Sequence, residues 1–267
     1  MSVNEGRRAA QAGEWIAAGH AFVRAAVAGS AEGAELAVEV TVELVPLADG
    51  GSAEAAALLA GIYLEYSDHA ARPTAMSYAR AAAEAGLPAG QRIYGHLLAM
   101  GLGVDEDRAR AVELFRSAAD GGDALGMYDL ALLTDDPEKS LTLFEAAARA
   151  GVVVAGASLA ARLSALDRDA EALGWYVWAA QRGHLGAMNA AACWYRDGFG
   201  TTPDPVQAVR WFFGMLANGN GDGVHEAVDL AKAGAVNEKQ IREAGRLAGT
   251  PTAAESLIGT VFRGGQG

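Results

Sequence analysis

Three stretches of this sequence carry residue types that could do chemistry. The run 152–160, Val-Val-Val-Ala-Gly-Ala-Ser-Leu-Ala, reads like a strand entering a Gly-x-Ser-x-Ala bend. Such a bend lifts a serine hydroxyl, here that of Ser158, out for nucleophilic attack, but it needs a strand before it and a helix after it. Residues 218–229 read Asn-Gly-Asn-Gly-Asp-Gly and then place Glu226 and Asp229 further on. That spacing sets oxygens at the positions a calcium loop uses. It departs from the pattern in having Asn218 first and Asp229 last, where Asp and a bidentate Glu are usual, and in having His225 where an apolar residue is usual. The third group is the histidines, His20, His69, His96, His184 and His225, which show no H-x-x-x-H or H-E-x-x-H spacing. Cys193 is the single cysteine, so neither an intramolecular disulfide nor a cysteine metal cluster is available. The glycine pairs Gly101/Gly103 and Gly198/Gly200 are followed by no Lys-Ser/Thr, which removes a phosphate loop. They suit tight turns at positive φ. No catalytic residue, cofactor or metal is expected.

Composition narrows the partners. The 267 residues are 51% hydrophobic and 20% charged, which excludes a disordered acidic tail. The net charge is −12, so neither a nucleic acid nor an anionic membrane is an expected partner. No run of 18 apolar residues spans a bilayer, and residues 1–15 hold no apolar signal core. A cytoplasmic location is the expectation.

The elements that must position these residues announce themselves by repetition. Ala82-Ala83 precedes Gly86, Ala118-Ala119 precedes Gly122, Ala147-Ala148 precedes Gly151, and Ala179-Ala180 precedes Gly183. A weaker copy has Met215-Leu216 before Gly219. The glycines lie 36, 29, 32 and 36 residues apart. Further small residues stand at Ala75, Ala111, Ser140, Ala172 and Ala208, each followed three residues later by Tyr78, Leu114, Leu143, Trp175 or Trp211. These offsets mark one face of a helix that ends on a glycine C-cap. A second helical stretch precedes each one, at 89–100, 124–133, 155–165 and 187–197. The unit is therefore a helix pair, in the size range of helical solenoid repeats. The alanines let neighbouring helices approach closely. In this frame Ser158 is a small helix residue, and residues 218–223 join two helices, with glycine closing one and Asp222 capping the next.

The pattern A…LG..Y..G.G….D…A..W/L-F/Y…AA..G resembles Sel-one-like repeats, short relatives of tetratricopeptide repeats. The best copy, 187–219, has Ala191-Ala192, Tyr195, Gly198, Gly200, Asp204, Ala208 and Trp211-Phe212. The next, 90–122, has Tyr94-Gly95, Leu98, Gly101, Gly103, Asp107, Ala111 and Leu114-Phe115. The third copy lacks the G-x-G loop, and the fourth has Leu166-Asp167-Arg168-Asp169 in its place. The resemblance implies an all-α fold, an α-α superhelix built as a right-handed solenoid of antiparallel helix pairs, and a role in assembling other proteins. In this frame residues 1–50 are an N-terminal helical cap, 51–220 are five repeats, 221–250 are capping helices, and 251–267 are a flexible tail. Residues 31–48 fit one helix or two, because Pro46 interrupts a β-branched run. The terminal Arg263-Gly264-Gly265-Gln266 echoes the tripeptide of peptide-release factors, but it stands at a chain end without that domain.

The resemblance also implies that the first helix of each pair lines the concave face. Residues two before and two after the core leucine slot then project from it: Arg92 and His96, Tyr128 and Leu132, and Asn189 and Cys193, with Arg196 one turn on. This predicts a mildly basic, polar face suited to an extended or helical peptide, even an acidic one. Most of the late aromatics, which run from Trp175 to Phe213, fall on core positions. Trp178 stands where other copies have Ala81, Ser117, Ala146 or Gly214. It is read either as an exposed hot spot or as filling a gap against a neighbouring helix. The expectation is a non-catalytic protein- or peptide-binding scaffold. Two alternatives are a β-lactam hydrolase, an activity the resemblance implies for some family members, which unlike this chain are cysteine-rich and secreted, and a self-assembling solenoid with a calcium-responsive loop.

Overall fold

The computed structural model describes residues 3–263, which form two compact units divided between Asp135 and Asp136. The first unit holds α1 (Val3–Gln11), α2 (Trp15–Val27), α3 (Ala31–Glu39), α4 (Thr41–Asp49), α5 (Ala53–Tyr66), a single 3-10 turn His69–Ala71, α6 (Arg72–Glu84), α7 (Pro88–Met100), α8 (Arg108–Asp120) and α9 (Ala124–Leu132). The second holds α10 (Pro137–Arg149), α11 (Val153–Ser164), α12 (Asp169–Ala180), α13 (Leu185–Asp197), α14 (Pro205–Ala217), α15 (Gly223–Lys232), α16 (Glu238–Ala248) and α17 (Pro251–Ile258), closed by a π-turn Gly259–Arg263. The fold is all-α, and the described residues contain no strand. Within each unit consecutive helices pack on one another, except that α16 packs on α14 rather than on α15, and in the first unit α7 also touches α5 and α9.

One joint recurs between pairs. Gly29, Gly51, Gly86, Gly122, Gly151, Gly183 and Gly219 all take φ between 80° and 102°, the left-handed region in which glycine pays no Cβ penalty. The amide of the following residue turns back to the carbonyl five positions earlier: Leu87 to Ala82 (3.0 Å), Asp123 to Ala118 (2.9 Å), Val152 to Ala147 (3.0 Å) and Asn220 to Met215 (3.0 Å). Several of the residues after the glycine then cap the next helix, as Ser30, Ser52, Asp123 and His184 Nδ1 do for Gly33, Ala55, Gly126 and Ala187 N–H. Four residues past the glycine the chain needs a small side chain. A Cβ on Gly90 would lie 2.4 Å from the Ala82 Cβ, and one on Gly126 would lie 2.8 Å from the Ala118 Cβ. The equivalent Ala155 and Ala187 are fully buried.

The G-x-G loops are a second fixed contact. Gly200 (φ 69°) presses its backbone on the start of α12, where a Cβ would meet the Asp169 carbonyl oxygen at 2.4 Å. Gly103 lies over Arg72, the first residue of α6. Each loop ends in an aspartate cap, Asp107 or Asp204.

Several readings left open by the sequence are decided, and others change. Residues 31–48 are two helices, broken at Val40, where the Thr41 hydroxyl donates to the Val38 carbonyl. The polar segment 3–11 is helical because Gly6 lets it sit on the Phe22 ring. Residues 251–258, expected in a flexible tail, form a helix that buries Ala254, Leu257 and Ile258. The valine run is no strand: Val153 opens α11. Of the Arg-Gly-Gly-Gln echo, Gly264, Gly265 and Gln266 lie outside the described residues.

Candidate functional site

In the first unit the expected residues lie on α7 and α9. Arg92 and His96 stand one turn apart on α7, both half-buried. Asp123 caps α9 by accepting from Gly126 N–H at 2.7 Å, and its other neighbour is the Arg92 Nε, 3.2 Å away. The pair is well sheltered, with 24% and 15% of the two side chains exposed. Asp129, further along α9, faces both Arg92 and His96 electrostatically. Burial pushes its carboxyl above the usual range, and the two basic neighbours pull it back. Tyr128 is half-buried beside it in sequence.

In the second unit Asn189, Cys193 and Arg196 run along one face of α13. The Cys193 sulfur lies 4.0 Å from Asn189 Oδ1. Burial chiefly raises the thiol above its ordinary range; Arg196 opposes this, and Glu226 and Asp197 add to it. A thiol so held is a poor nucleophile. The Arg196 guanidinium grips Asp197 through two hydrogen bonds, at 2.8 and 2.9 Å, and reaches Glu226 of α15 at 2.6 Å. Trp178 does not join this line. It sits on Gly156 of α11, where a Cβ would meet its ring at 2.6 Å. Its edge meets Trp175 with ring centroids 5.5 Å apart, and the Arg182 guanidinium lies 4.0 Å above the ring. Gly156, part of the serine bend in the sequence, thus serves as the seat of a tryptophan.

The expected mildly basic face does not form, because each arginine on it faces carboxylates. Asp123, Asp129 and Glu226 arrive from the following first helix or its cap. Of these Asp123 was readable, since a cap directly after a turn glycine follows from the joint; the other two depend on neighbours across a helix gap. Phe199, one of the late aromatics, is 52% exposed, tilted against Trp194 at 5.9 Å.

The calcium-like loop uses its oxygens elsewhere. Asn218 Nδ2 donates to the Gly214 carbonyl at 2.8 Å, Asn220 Oδ1 accepts from Asp222 N–H at 2.9 Å, and Glu226 is bound to Arg196. Asp222 makes no side-chain cap on α15, contrary to expectation. Among the described residues no group of three His, Cys, Asp or Glu side chains is placed to hold a metal ion. Ser158 lies within α11.

The decisive observation is a family match. The Sel1 repeat model matches residues 88–123, 124–152 and 185–213. The chain contains Sel1 repeats. Two solved structures share the fold. A protective antigen of uropathogenic Escherichia coli, described as displaying an SLR fold, aligns over 93% of this chain with a TM-score of 0.62 and 18% identity. This chain covers 65% of that protein's length. A Sel1 repeat protein from Oxalobacter formigenes aligns over 98% of this chain and all of its own, with a TM-score of 0.60 and 20% identity. No curated protein sequence matches. Sel1 repeats generally act as protein-interaction scaffolds. Among the described residues no helix is long and apolar enough to cross a membrane.

Proposed function

We propose that the chain is a non-catalytic adaptor that binds a protein or peptide segment through the first-helix faces of its Sel1 repeats. The observation that carries this reading is a division of labour. Second-helix alanines and the small residues opposite them do the nesting, so Arg92, His96 and Tyr128 on one unit, and Asn189, Cys193 and Arg196 on the other, are left partly open to solvent. Because carboxylates already stand against the arginines, a segment bound to either face is met mainly by hydrogen-bonding side chains, Tyr128 foremost on the first unit and Asn189 on the second. In this reading residues 51–220 supply the repeats, the flanking helices cap them, Trp178 stiffens the second face, and the protein works in the cytoplasm without a cofactor, nucleic acid or membrane.

The test is capture from native lysate with the wild-type chain and with Tyr128→Ala combined with Asn189→Ala. A specific partner held by the wild type and lost by the variant, at unchanged circular dichroism, is expected. Equal capture by both, or no specific partner for either, overturns the proposal.

A further inference from the structure

A different surface of the first unit carries its own chemistry. Between α1, α2, α3 and α4 lies a pocket of about 330 Å³, with Trp15, Phe22 and Leu36 among its walls. Its lining includes Glu39 and Glu43, both exposed and neither in an ion pair with another described residue. The one cation there, Arg7, is bound to Glu32. The charge imbalance extends beyond the rim: residues 25–71 contain eight Asp and Glu and no Lys or Arg. Val38 and Val42, each one residue before Glu39 or Glu43 in the chain, are 37% and 74% exposed.

We infer that this pocket takes a lysine or arginine side chain, flanked by apolar residues, from a partner polypeptide. An aliphatic stem fits walls of Phe22 and Leu36, since such side chains bury their stems on apolar surface and keep the charge at the rim. The cationic head meets two uncompensated carboxylates beside an indole, the aromatic ring that attracts cations most strongly. Val38 and Val42 give the flanking apolar residues something to cover. A polyanion is repelled by the same carboxylates, which sets this occupant apart from nucleic acid. The site lies outside the matched Sel1 repeats and stands independently of the first-helix faces.

The test is a positional-scanning library of capped seven-residue peptides on beads, probed with the labelled full-length protein. Enrichment of central Arg or Lys with apolar flanks is expected, falling at least tenfold for Glu39→Gln combined with Glu43→Gln and several-fold for Trp15→Leu. Citrulline in place of the central Arg should abolish it, and Tyr128→Ala should leave it unchanged. A charge-matched control, Asp105→Asn with Glu106→Gln, should also leave it unchanged. The inference is overturned if no Arg or Lys preference emerges, if the preference survives in the double glutamine variant, or if the control loses it equally, which would mark a general charge effect.

Discussion

The two units build the same joints from different materials. Residues 1–135 hold 19 acidic and nine basic side chains, whereas 136–267 hold 14 and 12, so nearly all of the net charge of −12 belongs to the first. Four of the five tryptophans belong to the second. Where Gly90 and Gly126 meet alanines, the equivalent Gly223 meets Phe212, and Gly156, one residue past the equivalent Ala155, meets Trp178. The turn geometry is nonetheless common to both. The comparison teaches that the backbone joint fixes the architecture, while the filling between helices and the surface charge are free to diverge.

Truncating the core should affect both units most. Phe212, fully buried on α14, is expected to cost about 3–5 kcal/mol as Phe212→Ala, and Leu97→Ala on α7 about 2–5 kcal/mol. Urea unfolding of each variant measures this; a loss under 1 kcal/mol at Phe212 would mean that the aromatic filling is dispensable. The joints themselves come next. Gly90→Ala drives a methyl into Ala82, including its backbone carbonyl carbon at 2.7 Å, so α6 and α7 must part, at about 1–3 kcal/mol. Gly156→Ala, one residue past the joint position Ala155, crowds only the far ring of Trp178, a side chain that can shift, with Trp175 at an ordinary 3.7 Å. Its cost should stay below about 1 kcal/mol, offset by the better helix propensity of alanine, and be accompanied by a shift in tryptophan fluorescence. Equal costs at the two sites would break the contrast.

Smaller effects test the electrostatic side. The Asp129 carboxyl titrates above its ordinary range in the folded chain, chiefly through burial. The protonated form is therefore favoured by folding, and its contribution is lost as the pH rises through the folded value. Asp129→Asn should be more stable than the wild type at pH 7, by a few tenths of a kcal/mol to about 1 kcal/mol given partial solvent screening, with the gain vanishing in acid below the ordinary carboxylate range. A variant less stable at pH 7 would show that Arg92 and His96 outweigh desolvation. Last, salt at about 0.5 M should slow hydrogen exchange in the first unit more than in the second, because it screens the larger self-repulsion. Mass spectrometry resolving peptides from 31–66 and 137–180 reads this directly.

What could be read from residues alone follows the range of the forces involved. The joint was legible because its hydrogen bonds and its small-residue demand fall within a dozen positions, as from Ala82 to Gly90. The Arg92–Asp123 and Arg196–Glu226 pairs were not, since each spans some thirty residues and depends on which helix faces which. The role of Trp178 was half legible. Its odd place in the frame showed, but its seat on Gly156 lies one helix back. Helices α1 and α17 leave little trace in the sequence because they bury little beyond small residues, Gly6 in one and Ala254 with two aliphatics in the other.

Because each joint closes on its own backbone, the chain is divisible at its glycines. Joining Gly86 directly to Asp123 would remove one 36-residue period yet keep the bend on Ala82 and Ala83, supply Asp123 as the cap, and bring Gly126 opposite Ala82 in the register Gly90 now holds. Shortening or lengthening by whole periods thus leaves the backbone joint intact and asks only for side chains to repack between the newly joined helices.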